Sequence, residues 1–327
     1  MLPEELIAQT PIEPRDSARL LVDSLTGIQH RHVSDIVEYL RAGDVLVVNH
    51  TRVLPARLKL KRRTGGAVEV LLLEERDADQ LQWEALVRPG GKLSPSEELL
   101  DNTGSVMLRI RQRTDAGDTF FVHFVARTHE DMMQRIMEGG EMPLPPYITT
   151  ALVDQSRYQT VFAHDQKSSA APTAGLHFTP ELLARIREAG VQIREVELVV
   201  GLDTFKPISV DNPLDHVIHT ESYHVPADTF DACLRAREDG GRVIAIGTTA
   251  TRALESAATF AELQGRTNLF ITPGYQWKVV DMMMTNFHMP RTTLLLMVES
   301  FVGVKWRTIY AEAIEKRYRM LSFGDAM

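Results

Sequence analysis

The texture of this chain changes twice, and that double change limits its fold more than any single motif. From about residue 58 to 141 the sequence is a succession of short β-like segments, at 68–73, 83–87, 106–110 and 120–125. Gly65-Gly66, Pro89-Gly90-Gly91, Asn102-Thr103-Gly104 and Asp115-Ala116-Gly117 punctuate them. Such residues supply the backbone conformations that tight turns need, so evenly spaced segments of this kind predict a small barrel or sandwich. A short helix over 129–137 precedes Pro143-Leu144-Pro145-Pro146.

On either side of that stretch the pattern is strand, loop, helix. Asp44-Val45-Leu46-Val47-Val48 is an apolar run ending in Asn49-His50-Thr51-Arg52. Arg242–Ile246 is strand-like and enters Gly247-Thr248-Thr249, with helix formers over 253–263. Further strands are predicted at 268–272 and 279–284. A helix capped by Thr292 or Thr293 runs through Phe301 to Gly303, and a last helix covers 309–318. Alternating strands and helices bury a sheet between helical layers. The predicted architecture is therefore an α/β domain, discontinuous over 1–57 and 151–327, with an all-β, barrel-like domain inserted at 58–150.

The 327 residues, 44% hydrophobic and 24% charged, suit a soluble protein of about two domains. Cys233 is the only cysteine, which excludes intrachain disulfides and a four-thiolate zinc site and favours a reducing compartment. No apolar run reaches membrane-spanning length and no signal-peptide pattern opens the chain, so the cytoplasm is expected. A net charge of −8 gives no global attraction to nucleic acid. Two local runs, Arg57-to-Arg63 and Arg15, Arg19, His30, Arg31, His32, are candidate phosphate contacts, although charge runs are more often solvated faces.

Candidate chemistry gathers in four loops. Ala170-Ala171-Pro172-Thr173-Ala174-Gly175-Leu176-His177-Phe178 combines small residues with one imidazole and feeds a helix that Thr179 caps and Gly190 closes. A loop so bare before a helix N-terminus fits a nucleotide-sized or anionic ligand; a close-packed turn with a satisfied histidine is the plain alternative. Gly247-Thr248-Thr249 offers hydroxyls and backbone N–H groups for a carboxylate or ribose, and lacks the lysine of a triphosphate loop. Thr285-Asn286-Phe287-His288 is a polar loop between apolar elements. His216-Val217-Ile218-His219-Thr220-Glu221 has the spacing of a metal half-site but no third ligand, so no metal is expected. His177, His219, Glu221 and His288 are the candidates for proton transfer, with no order among them. Met282-Met283-Met284 reads as a core strand rather than a soft ligand surface.

Taken in order, these segments resemble one family, the S-adenosylmethionine:tRNA ribosyltransferase-isomerases of queuosine synthesis. The matching pieces are Arg15-Asp16, residues 43–58 around Asn49 and Thr51-Arg52-Val53, and Pro143-Leu144-Pro145-Pro146-Tyr147-Ile148. Tyr158-Gln159-Thr160-Val161, residues 170–179, residues 243–256, Pro273-Gly274-Tyr275, residues 280–290 and Gly324-Asp325-Ala326-Met327 complete the series. The resemblance implies transfer and isomerisation of the ribosyl part of S-adenosylmethionine onto 7-aminomethyl-7-deazaguanine at the tRNA wobble position, with adenine and methionine leaving. It implies no cofactor beyond that donor substrate, the tRNA anticodon loop as partner, no membrane, and a monomer. Asn49, Arg52, Thr173, Gly175, Thr248, Thr249, Arg252, Thr285 and Asn286 are the substrate-binding candidates it points to.

The sequence departs from the family pattern at several positions. Val199 stands where a histidine is expected, and Asp203 replaces a glycine. Lys167 and Ser169 alter the approach to the Ala-Pro-Thr-Ala-Gly loop, and Glu299 replaces a small residue. Two alternatives follow: a divergent paralogue with another acceptor, or a non-catalytic adenosine- or RNA-binding protein on the same scaffold.

Overall fold

The computed structural model describes residues 2–114, 117, 119–201, 208, 210, 212–216, 218 and 220–327. His219 and Asp203, both singled out above, lie outside the described residues.

The chain opens with a hairpin, β1 (Arg19–Ser24) and β2 (Gly27–His32), then β3 (Val45–Asn49) and β4 (Thr51–Val53). β5 (Arg57–Arg62), β6 (Ala67–Asp77), β7 (Gln82–Arg88), β8 (Glu98–Leu100), β9 (Val106–Arg113) and β10 (Phe120–Phe124) follow. α1 (His129–Gly139), β11 (Gly140–Glu141), β12 (Asp165–Ser168), α2 (Pro180–Glu188), β13 (Gln192–Leu198) and β14 (Glu221–His224) come next. α3 (Ala227–Glu238), β15 (Val243–Ile246), α4 (Gly247–Phe260), β16 (Gln264–Thr267), β17 (Met282–Met284), α5 (Thr293–Val302) and α6 (Trp306–Glu315) complete the chain.

Strands β5 to β10 form an antiparallel sheet in the order β5-β6-β7-β10-β9-β8, and β8 pairs back onto β5 to close it. The turn-punctuated stretch is thus a barrel rather than a sandwich. Strict alternation fills it: Leu58 and Leu60 of β5 point in while Lys59 and Lys61 point out, and Phe120, Val122 and Phe124 do the same for β10. Inward side chains at every second residue are the physical signature of a strand with one dry face. Met132 and Ile136 of α1 plug the barrel. This alternation also explains the basic run. Lys59 and Lys61 face outward, and carboxylates match four of the five cations: Arg57 by Glu69 at 3.8 Å, Lys59 by Glu141 at 2.7 Å, Arg62 by Glu97 at 2.5 Å, Arg63 by Glu98 at 2.5 Å. The run is mostly paired with carboxylates rather than left open as a phosphate cradle.

The second sheet has the order β16-β14-β13-β3-β15-β17. β13, β3, β15 and β17 run parallel, while β14 and β16 add antiparallel to one edge. β3 is buried at every residue, as a central parallel strand covered on both faces must be. One face packs on α3 and α4 through Cys233, Ala236, Ala253 and Leu254. The other packs on α2 and the N-terminal hairpin through Leu182, Ile186 and Leu20. Glu74 of the barrel reaches the antiparallel edge, bonding Ser222 of β14 and, at 2.5 Å, Arg266 of β16.

Several predicted elements shift. The strand expected at 268–272 does not form, because its backbone serves side chains: Leu269 N–H donates to Thr267 Oγ1 and Leu269 C=O accepts from Arg252 Nε, both near 3 Å. The strand expected from 279 begins only at Met282. The buried Glu255 carboxylate takes the N–H groups of Lys278, Val279 and Val280 at 2.9–3.0 Å, so they cannot join a ladder. The last helix is Trp306–Glu315, three residues earlier than read from the sequence. Thr179 and Thr292 cap their helices as expected, each hydroxyl accepting from the third residue on.

Candidate active site

In open α/β sheets, ligands sit beyond the carboxyl ends of the strands, where neighbouring strands lead their chains apart. β3 is such a point, with β13 on one side and β15 on the other. A crevice opens there. Thr248 and Thr249 after β15, Thr285, Asn286 and His288 after β17, Val200 after β13, and the 171–174 loop line it. None of its described lining residues is Asp, Glu, Lys or Arg. Hydroxyls, amides and one imidazole on an apolar ground suit a nucleoside better than a phosphate chain.

Thr173, Asn286 and His177 form a relay. Thr173 Oγ1 donates to Asn286 Oδ1 at 2.8 Å, and Asn286 Nδ2 donates to His177 Nε2 at 3.2 Å. Burial holds His177 down at about 4, so the imidazole is neutral near pH 7 and can accept that bond. His177 itself is not on the crevice wall; it fixes Asn286 from behind. The C-terminal residues back the same loop, with Thr285 N–H donating to Met327 C=O at 2.9 Å and Ala326 bridging Asn286.

His288 does line the crevice. Its Nε2 lies 2.9 Å from Thr285 Oγ1, and its backbone N–H donates to Tyr310 OH at 2.7 Å. Burial alone pushes this imidazole down to about 4. α4 begins on the crevice wall with Gly247 at φ +88°, and no side chain caps it. Thr249 Oγ1 in its first turn is buried without a hydrogen-bond partner. An orphaned buried hydroxyl costs about 1–3 kcal/mol and so marks where a ligand oxygen fits.

The remaining candidates separate. Glu221 and Arg252 form a buried ion pair in an adjoining pocket that shares Thr248, Thr249 and Leu294 with the crevice. Arg252 is further engaged with Leu269 C=O and Thr267 C=O, and Glu221 accepts from Gly201 N–H at 2.8 Å. Gly175 is buried behind the loop, where a Cβ would lie 2.6 Å from Phe162 Cζ. Asn49 does not reach the crevice: its amide is spent on Leu198 and Thr51 backbone, clamping β3 to β13. Arg52 is exposed on β4.

The described departures, Val199, Lys167, Ser169 and Glu299, are not among the crevice-lining residues either. Val199 hydrogen-bonds by its N–H to Ser222, Lys167 extends to Glu197 at 2.8 Å, and Ser169 donates to Val200 C=O. Glu299 is half-buried on α5. Sequence reasoning missed Tyr147, whose hydroxyl meets Ser322 Oγ at 2.7 Å on the crevice wall. Nothing local in the sequence signals a contact between residues 175 positions apart.

A neutral, hydroxyl-lined crevice at the carboxyl ends of parallel strands, in a chain that also carries a closed barrel, defines an α/β protein built to hold a small polar ligand. The model of the queuosine biosynthesis protein family matches residues 1–327. An S-adenosylmethionine:tRNA ribosyltransferase-isomerase of Symbiobacterium thermophilum is 46% identical over 334 residues, covering 100% of this chain and 96% of that one. One of the same name from Acaryochloris marina is 46% identical over 340 residues, covering 100% and 91%. The crystal structure of an S-adenosylmethionine tRNA ribosyltransferase from Thermotoga maritima is 37% identical, with a TM-score of 0.55 over 100% of this chain and 97% of that one. The chain belongs to the queuosine biosynthesis protein family.

Proposed function

We propose that this chain is an S-adenosylmethionine:tRNA ribosyltransferase-isomerase. It would move the ribosyl unit of S-adenosylmethionine onto 7-aminomethyl-7-deazaguanine at the wobble position and release adenine and methionine. The observation that carries the reading is the crevice itself. An uncapped helix N-terminus with the orphaned Thr249 hydroxyl, the Thr173-Asn286 pair and His288 line one crevice whose described wall carries no Asp, Glu, Lys or Arg. The start of α4 suits a carboxylate or ribose oxygens, because the helix dipole and unpaired N–H groups favour negative charge there.

The chemistry fits a weak base. A sulfonium acidifies the adjoining 5′ carbon, so a neutral imidazole in a dry pocket is enough to begin. His288 is the group so placed; His177 positions Asn286, and Glu221, held by Arg252, shapes the adjoining pocket. In a two-part organisation, residues 1–57 with 151–327 around an insert at 58–150, the larger part supplies most of the crevice and the insert contributes Tyr147. The anticodon loop of a tRNA is the macromolecular partner, and a cytoplasmic monomer suits that role. No helix among the described residues is long and apolar enough to cross a membrane.

Incubation with S-adenosylmethionine and tRNA carrying the 7-aminomethyl base tests this. Nucleoside mass spectrometry is expected to show epoxyqueuosine, with adenine and methionine released in equal amounts. Adenine release with unmodified tRNA would point to another acceptor, and binding without any product would remove the enzymatic reading.

A further inference from the structure

His50 follows β3 directly and is 8% exposed, yet both its ring nitrogens are buried without a hydrogen-bond partner. Leaving two such atoms dry and unsatisfied is costly, and a buried imidazole of this kind calls for an explanation. What surrounds it is a ring of ligand-type groups. Nδ1 lies 3.6 Å from Glu195 Oε2, and Nε2 lies 3.4 Å from Asp165 Oδ2 and 3.8 Å from Glu197 Oε2. His164 stacks beside it with ring centroids 4.2 Å apart. Its Nε2 is 3.0 Å from the same Glu195 Oε2, and its Nδ1 is 3.2 Å from Asp165 Oδ1.

We propose that His50 Nδ1, His164 Nε2 and Glu195 bind one borderline-soft divalent transition-metal ion of the zinc(II) type, with Asp165 orienting both imidazoles. The ligand atoms of these three residues all lie within 4.8 Å of one another. Metal–ligand bonds of about 2.0–2.1 Å in a tetrahedron place ligands about 3.3 Å apart, close to the 3.0 and 3.6 Å seen to Glu195. Each imidazole turns one nitrogen to Glu195 and the other to the Asp165 carboxylate. For His164, bonded to Asp165 at 3.2 Å, that is how metal-ligating histidines are held, the outer carboxylate fixing ring and tautomer; His50 Nε2, at 3.4 Å, would close onto the same carboxylate when an ion draws its ring in.

Two imidazoles with one carboxylate favour zinc-like ions over magnesium or calcium, which take oxygen ligands. Glu197 stays outside the set because Lys167 Nζ holds it at 2.8 Å. The side chains of His164 and Glu195 are 54% and 43% exposed, so an ion can enter, the rings can part, and a fourth position stays open to solvent. The ion would tie the end of β3 to β12 and β13. β12 runs straight into the loop that lines the crevice, so the site would also brace that loop.

Calorimetric titration of the chelator-stripped full-length protein with zinc chloride tests the site. One ion per chain is expected, with a rise in Tm on binding and, after replacement by cobalt(II), a visible band of tetrahedral intensity. Asp165→Asn should weaken binding by about 10- to 100-fold. His164→Ala and Glu195→Gln, at exposed positions that the fold does not need, should abolish saturable binding while His224→Ala leaves it unchanged. Absence of stoichiometric zinc binding, or binding that survives both His164→Ala and Glu195→Gln, overturns the proposal. A Tm that depends on pH but not on zinc would overturn it too, since the cluster would then be only a set of ion pairs.

Discussion

Asn286 Nδ2 lies 3.2 Å from His177 Nε2, while Oδ1 of the same amide accepts from Thr173 at 2.8 Å. In the tautomer with Nε2 unprotonated, this arrangement fixes which way the amide faces, its NH2 to the ring and its oxygen to Thr173. Asn286→Ala should therefore reduce kcat/KM for adenine release on the order of 10²-fold, as misplacement of a crevice wall does. Single-turnover assays of adenine and methionine release measure it. An unchanged kcat/KM would show that the relay does not position substrate.

Thr249 offers a second handle. Its hydroxyl is buried and unpartnered in the free protein, so Thr249→Val removes a desolvation penalty and should leave Tm unchanged or slightly raised. The same change should raise the Kd for S-adenosylmethionine by about tenfold, the loss of one hydrogen bond. Calorimetry on the variant gives both numbers.

Acid should destabilise the protein through His177 and His288, both held at about 4 in the fold by burial. An unfolded imidazole titrates near ~6.5, so between those values the unfolded chain binds more protons than the folded one. Stability is thus fully present above about 6.5 and is lost as pH falls towards 4, by up to about 3 kcal/mol per histidine. Urea midpoints at a series of pH values check this. The slope should flatten in His177→Asn, and an equal slope in variant and parent would contradict it.

Gly175→Ala should cost stability for want of space. The new Cβ would lie 2.6 Å from Phe162 Cζ and 2.9 Å from Thr160 Cγ2, both under the limit for real carbon contacts. Overpacking of this kind costs about 1–3 kcal/mol, read as a lower Tm. Because Gly175 sits behind the crevice loop, the KM for S-adenosylmethionine should rise as well.

The elements themselves were largely readable. Thr179 and Thr292 announced their helices because a cap is a contact between residues three apart. The period-two pattern of Leu58-Lys59-Leu60-Lys61 announced an outward and an inward face. The strand read at 268–272 failed for a different reason. Its backbone groups are taken by Arg252 and Thr267, and local propensity does not see such competition. Among the site residues, Thr173, Thr248, Thr249, Thr285, Asn286 and His288 share one crevice, whereas Asn49 turned inward to serve backbone. An Asn at a strand end reads the same in either role.

Turn chemistry, capping and hydrophobic period are short-range, so the order of strands and helices along this chain was already written in the residues. Strand order in the sheet is not short-range. Placing β3 between β13 and β15 brings residues 173, 248 and 286 to one opening, and sets His50 beside His164 and Glu195. Side chains more than a hundred positions apart acquire a common chemistry only when the folded backbone puts them within a few ångströms, and that was decided by tertiary packing.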